Sequence, residues 1–99
     1  MKRQIFENYA KCVAEEFSIP YELLFTKTKE RECTAARHML YYLCAKRPMN
    51  VTMIAEFMTE HGYETGHSSV IYGIKQMSKR LREDRDYIRA ARRIEETIK

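Results

Sequence analysis

The sequence has no tryptophan, only three glycines and two prolines in 99 residues. So few turn formers exclude a fold of many short strands and favour a small number of helices. No apolar run approaches the length of a membrane-spanning helix. Met1-Lys2-Arg3 leads into polar and charged residues rather than an apolar stretch, so no secretory signal is expected. The three cysteines, Cys12, Cys33 and Cys44, are odd in number and have no paired spacing. They are expected to be reduced thiols of a cytoplasmic protein. In that setting the sequon Asn50-Val51-Thr52 carries no meaning. Repeats, low-complexity tracts and linkers are also missing, so residues 1–99 are expected to form one domain.

What is present is an ordinary globular composition, 44% hydrophobic and 32% charged, with a net charge of +4. The charge is unevenly placed. Residues 1–26 carry 3 basic and 4 acidic side chains, residues 27–47 carry 6 against 2, and residues 75–93 carry 8 against 3. Clustered positive charge suits a polyanion-binding surface; a solvated helix face is the plainer alternative.

Hydrophobic periodicity predicts five to six helices. Ile5, Tyr9, Cys12, Val13 and Phe17 recur at helical spacing, giving an amphipathic helix over 3–17 that stops at Ser18-Ile19-Pro20. Pro20 suits the first turn of a short helix over about 20–25. Residues 26–30 are polar and basic and form a loop. Cys33, Ala36, Met39, Leu40, Leu43 and Cys44 stripe a helix over 32–46, ended by Pro48. Asn50 caps a helix carrying Val51, Ile54, Ala55 and Met58, and Gly62 stops it. Thr65 or Gly66 starts a further helix with Val70, Ile74, Met77 and Leu81 inward. Asp84 caps the last one, with Tyr87, Ala91, Ile94 and Ile98 on one face.

The helices over 50–60 and 66–82 form a candidate helix-turn-helix, although their connection exceeds the usual three or four residues. A helix pair alone is a weak signal. The informative stretch is Gly66-His67-Ser68-Ser69-Val70-Ile71-Tyr72-Gly73-Ile74-Lys75, and above all its opening. It places small hydrogen-bonding side chains where a helix presents free N–H groups and the positive end of its dipole, which suits approach to phosphates and base edges. Lys75 and Lys79 follow on the same helix within reach of a backbone. An N-cap cluster with no ligand explains the stretch equally well on local grounds.

This stretch resembles the Asp-His-Thr-Thr-Val signature of the C-terminal DNA-binding domain of the bacterial replication initiator DnaA. Further matches come in the same order along the chain. Val13-Ala14-Glu15-Glu16-Phe17, Ile19 and Glu22-Leu23-Leu24 resemble the family's opening helices, and Lys27-Thr28-Lys29-Glu30-Arg31 its basic loop. Ala36-Arg37-His38-Met39 with Tyr42-Leu43-Cys44 resembles its central helix, and Ile54-Ala55 through Met58 the first helix of its helix-turn-helix. The resemblance covers about residues 8–83. It implies an all-α, Trp-repressor-like helix-turn-helix fold that binds double-stranded DNA at initiator boxes as a monomer on an asymmetric site. By position it implies Lys29 in the minor groove with Lys27 and Arg31 beside it, Arg37 and His38 reaching DNA from the central helix, and His67, Ser68 and Ser69 reading the major groove.

Several departures alter this chemistry. Gly66 stands where the family has an acid able to accept from a cytosine amino group. Ser68 and Ser69 lack the methyls of threonine, His38 replaces an amide, and Lys29 replaces the planar fork of an arginine. The segment Thr59–Thr65 is about four residues longer than the family's connection. The sequence also holds no Gly-x-x-x-x-Gly-Lys-[Ser/Thr] loop, hence no ATPase module. The expectation is a regulator or competitor at initiator boxes, nucleoid-associated and of bacterial, phage or plasmid origin, with replication proteins as further partners.

Other classes find less support. His61 and His67 have no carboxylate or nucleophile at motif spacing, so no enzyme is expected. Cys33, His38 and Cys44 fall on different faces of one helix, so neither a metal nor any other cofactor is expected. The last helix is basic and amphipathic but has no tryptophan or phenylalanine, which argues against a membrane surface. The serious rival is a protein-interaction module using Arg85, Arg89, Arg92 and Arg93 against an acidic partner.

Overall fold

The computed structural model describes residues 1–98, and their regular structure is helical throughout. Helix α1 spans Lys2–Glu16 and buries Phe6, Tyr9, Ala10, Val13 and Ala14. Its buried face is turned from the expected one, leaving Ile5, Cys12 and Phe17 at the margin. Phe6 sets that rotation by packing 5.3 Å, ring to ring, from Phe57. The helix closes with the N–H of Ser18 on the Glu15 carbonyl and that of Ile19 on Ala14. Ser18 takes the left-handed conformation this closure requires, at φ 55°, without being glycine.

Pro20 then caps a 3-10 turn, Tyr21–Phe25, which puts Leu24 into the core. Helix α2, Arg31–Lys46, is buried around most of its circumference and is the central element. All six residues of its expected stripe are buried, and Arg37 and Tyr41 with them. Asn50 caps helix α3, Val51–Glu60, its side-chain oxygen accepting from the Met53 N–H at 2.8 Å. The helix ends in a Schellman arrangement, with Gly62 N–H on the Thr59 carbonyl and Tyr63 N–H on Met58. Gly62 supplies the positive φ of 102°.

Helix α4, His67–Glu83, crosses α2 closely. Gly73 makes the crossing possible: a Cβ there would stand 2.7 Å from ring carbons of both His38 and Tyr41. Asp84 ends α4 and caps α5, Arg85–Thr97, accepting from the Asp86 N–H at 2.9 Å. Helix α5 lays Ala90, Ala91 and Ile94 on the core. It is tied to α1 by Arg93 and Glu16 and to the C-terminal end of α2 by Lys46 and Glu95 at 2.9 Å. One continuous apolar cluster draws side chains from all five helices. No helix among the described residues is long and apolar enough to cross a membrane.

Candidate nucleic-acid interface

The first turn of α4 is open to solvent. Gly66 is its N-cap and offers no side-chain acceptor, and the turn contains no acid. The leading N–H groups are therefore free to meet a negative ligand, with the helix dipole behind them. His67, Ser68 and Ser69 are all exposed. His67 Nε2 lies 3.2 Å from the Thr52 hydroxyl on α3, a contact that braces the two helices of the pair while the residue stays exposed. Helical spacing carries the face from His67 and Ser68 through Ile71 to Lys75 and Lys79. Ile71 and Tyr72 are the apolar members of this surface, 41% and 59% exposed. Nothing lies within 4 Å of a Cβ built on Gly66, so the space there is open.

The basic loop owes its shape to a buried arginine. Arg37 is 3% exposed. Its guanidinium donates to the carbonyls of Leu24 and Leu23 at 2.9 Å, of Thr28 at 3.2 Å, and of Thr26. The resemblance implied that this side chain reaches DNA; in the structure it points inward and its donors are taken by the loop. The reason is that residues 23–28 leave α1 and the 3-10 turn with carbonyls aimed at α2, and a planar fork satisfies several of them at once. Tyr63, from the connection between α3 and α4, lies beneath it, with the guanidinium carbon 4.5 Å from the ring centroid. Lys27 is also tied back, its ammonium 4.1 Å from the same centroid and donating to the Glu64 carbonyl at 2.6 Å. Lys29 and Arg31 are exposed.

Loop, α2 and the start of α4 enclose a cleft of about 400 Å³. Lys29 stands on one wall, Ser68, Ser69 and Tyr72 on the other, and His38 at the floor. His38 is half-buried and edge-on to Tyr72 at 6.0 Å. Its Nδ1 is buried without a hydrogen-bond partner. Burial pushes its pKa below the ordinary imidazole value, and the positive charges of Arg80 and Arg37 push it further the same way. The folded protein thus disfavours a proton that the unfolded chain accepts near pH 6.5. Stability from this group is complete above that value and is lost as the pH falls towards the lower folded pKa. Urea melts at pH 7, 6 and 5 should therefore show falling stability, with a shallower fall in His38→Gln. Equal slopes in the two proteins would rule His38 out as the source.

The structure brings Ser68 and Ser69 to one cleft with Lys29 and His38, sets His67 outside it on the side of α3, beside Thr52, and puts Lys75 along the exposed face of α4. Arg37 lines the same cleft but is buried with its donors taken by backbone carbonyls, and Lys27 is tied back. The sequence analysis gave no role to Tyr63 or Thr52, nor to Ile71 and Tyr72 within the stretch it singled out. Ile71 and Tyr72 carried a usable signal, since both are apolar yet fall off the Val70–Ile74–Met77 stripe. Tyr63 carried a fainter one, as an aromatic in a polar turn.

Elsewhere the chemistry is quiet. Burial pushes the Cys44 thiol up to about 12, which keeps it protonated and unreactive. Among the described residues no three His, Cys, Asp or Glu side chains gather to hold a metal ion. On α5, Arg85, Arg89 and Arg92 are exposed, Arg89 lying 3.7 Å from Asp86 one turn earlier, and Arg93 pairs with Glu16.

No curated protein sequence and no solved structure matches this chain. The family model of the bacterial DnaA protein helix-turn-helix matches residues 6–77, from the first helix through the α3–α4 pair to Met77. A match over most of the 99 residues, on a fold with the helix pair in the matching place, settles the family. The chain belongs to the bacterial DnaA helix-turn-helix family, a family of DNA-binding domains.

Proposed function

We propose that this protein binds double-stranded DNA in a sequence-dependent way at initiator-type boxes, with the first turn of α4 in the major groove and the loop around Lys29 in the minor groove. The observation that carries the reading is the acid-free start of α4 with no side-chain cap, where His67 is exposed and Ser68 and Ser69 stand across a cleft from Lys29. His67 and the serines hydrogen-bond base edges, Ile71 packs on thymine methyls, and Lys75 meets phosphate. Lys29, with Arg31 beside it, reads the width and potential of an A/T-rich minor groove rather than a base code. His38 supports the cleft as a neutral side chain. The unit acts as one domain, a monomer on an asymmetric site, in the cytoplasm. It occupies boxes without opening the duplex, as a competitor or regulator of initiation alongside replication proteins.

Titrating fluorescent duplexes with an initiator-type box and a scrambled version at two salt concentrations tests this. The box should bind more tightly. His67→Ala should weaken it about 10- to 100-fold, the equivalent of one good base contact. Log affinity should fall linearly with log salt, by about 0.9 per phosphate neutralised. Gly66→Asp should sharpen discrimination at one cytosine. Equal binding to both duplexes would mean the code has been lost, and duplex melting by this chain alone would refute the competitor role. A second reading rests on the exposed Arg85, Arg89 and Arg92 of α5, which fit an acidic protein partner. It gains the weight if neither duplex binds.

A further inference from the structure

We propose that Tyr63 is a positioning residue that holds the minor-groove loop at a set distance from the recognition helix. The inference rests on the DNA-binding reading and deepens it.

The two reading segments belong to different parts of the chain. Residues 26–30 have no regular structure of their own. From inside, Arg37 holds the carbonyls of Thr26 and Thr28. From outside, Lys27 reaches over to the α3–α4 connection and donates to the Glu64 carbonyl. Both cations converge on the Tyr63 ring, at 4.1 Å for Lys27 and 4.5 Å for Arg37. The electron-rich faces of a ring this near two positive groups attract each of them and ease the burial of Arg37, which has no carboxylate among its hydrogen-bond partners.

Tyr63 is itself anchored. Its N–H closes the end of α3 on the Met58 carbonyl at 2.9 Å, directly after Gly62. Three residues later Gly66 begins α4. A rigid path therefore runs from the end of α3 through one aromatic ring to the loop that carries Lys29. A loop ordered before binding does not have to be ordered by DNA, which raises affinity without adding a contact to the duplex.

The test uses Tyr63→Ala and Tyr63→Phe, with urea melts confirming that each folds. In the DNA-free protein, amide hydrogen exchange at Thr26 and Glu30, whose N–H groups bond to Leu23 and to the Thr28 hydroxyl, should quicken in Tyr63→Ala and stay at the wild-type rate in Tyr63→Phe, which keeps the ring. With box DNA, Tyr63→Ala should lose about tenfold in affinity. It should also lose discrimination against G/C substitutions in the minor-groove half of the box, while keeping the discrimination that depends on His67. Unchanged loop exchange in Tyr63→Ala overturns the clasp. Faster exchange with unchanged minor-groove discrimination overturns the positioning role. Wild-type protein that binds neither duplex overturns the DNA reading and the positioning role together, and the exchange arm still reports separately on whether Tyr63 holds the loop.

Discussion

Arg37→Ala is expected to lower the unfolding free energy by about 3–5 kcal/mol, because it removes the shared donor of four carbonyls, two in the 3-10 turn and two in the loop. Hydrogen bonds to a charged group contribute about 1.5–3 kcal/mol each, and four on one fork do not add. The loss is larger than the net value of the bonds because the acceptors stay behind, partly shut off from water. Arg37→Lys should recover little of it. A single ammonium is compact and strongly hydrated and cannot span carbonyls on both sides of the loop. Urea unfolding of the three proteins measures both effects. A loss below about 1 kcal/mol in Arg37→Ala would mean that water takes the guanidinium's place.

Gly73→Ala is expected to cost about 2 kcal/mol, in the opposite direction to helix propensity. In an open helix this substitution would stabilise by about 1 kcal/mol. Here the added methyl would stand 2.7 Å from ring carbons of His38 and Tyr41, and neither is the free end of a flexible chain. Overpacking of this kind typically costs about 1–3 kcal/mol and shifts backbone. The shift would move α4 away from α2, and the first-turn residues with it, so weaker DNA binding should accompany the lower melting temperature. Pairing Gly73→Ala with His38→Ala should recover part of the stability, since the double variant frees one of the two rings. If Gly73→Ala raises the melting temperature, the crossing is looser than the structure has it.

Local signals were readable wherever the partner lies a few residues away. Asn50 and Asp84 cap the helices they were expected to cap, and Gly62 takes the positive φ expected of a helix stop. The central helix was readable because its apolar residues sit at strict helical spacing. Arg37 was not, since an arginine on a helix looks the same in sequence whether its acceptors are phosphates or carbonyls of a loop 9 to 14 residues earlier. Tyr63 was hidden for a similar reason: its partners Lys27 and Arg37 are distant in sequence, and a cation over a ring leaves no periodicity. Ser18 stood in a recognisable stop signal, yet nothing in the sequence says that a serine rather than a glycine takes the left-handed position.

The glycines at positions 66 and 73 set different rules for change along one helix. Position 73 is held by the fold, for any side chain there meets two aromatic rings. Position 66 has an extended backbone that every residue adopts, and nothing within reach of a Cβ. On the proposed reading it is also the place nearest the bases. Descendants of this protein can therefore try many residues at 66 with little effect on folding, and so alter which sequence is read while the scaffold stays as it is. Divergence among relatives should concentrate at such a position, and the preferred box should drift faster than the architecture that carries it.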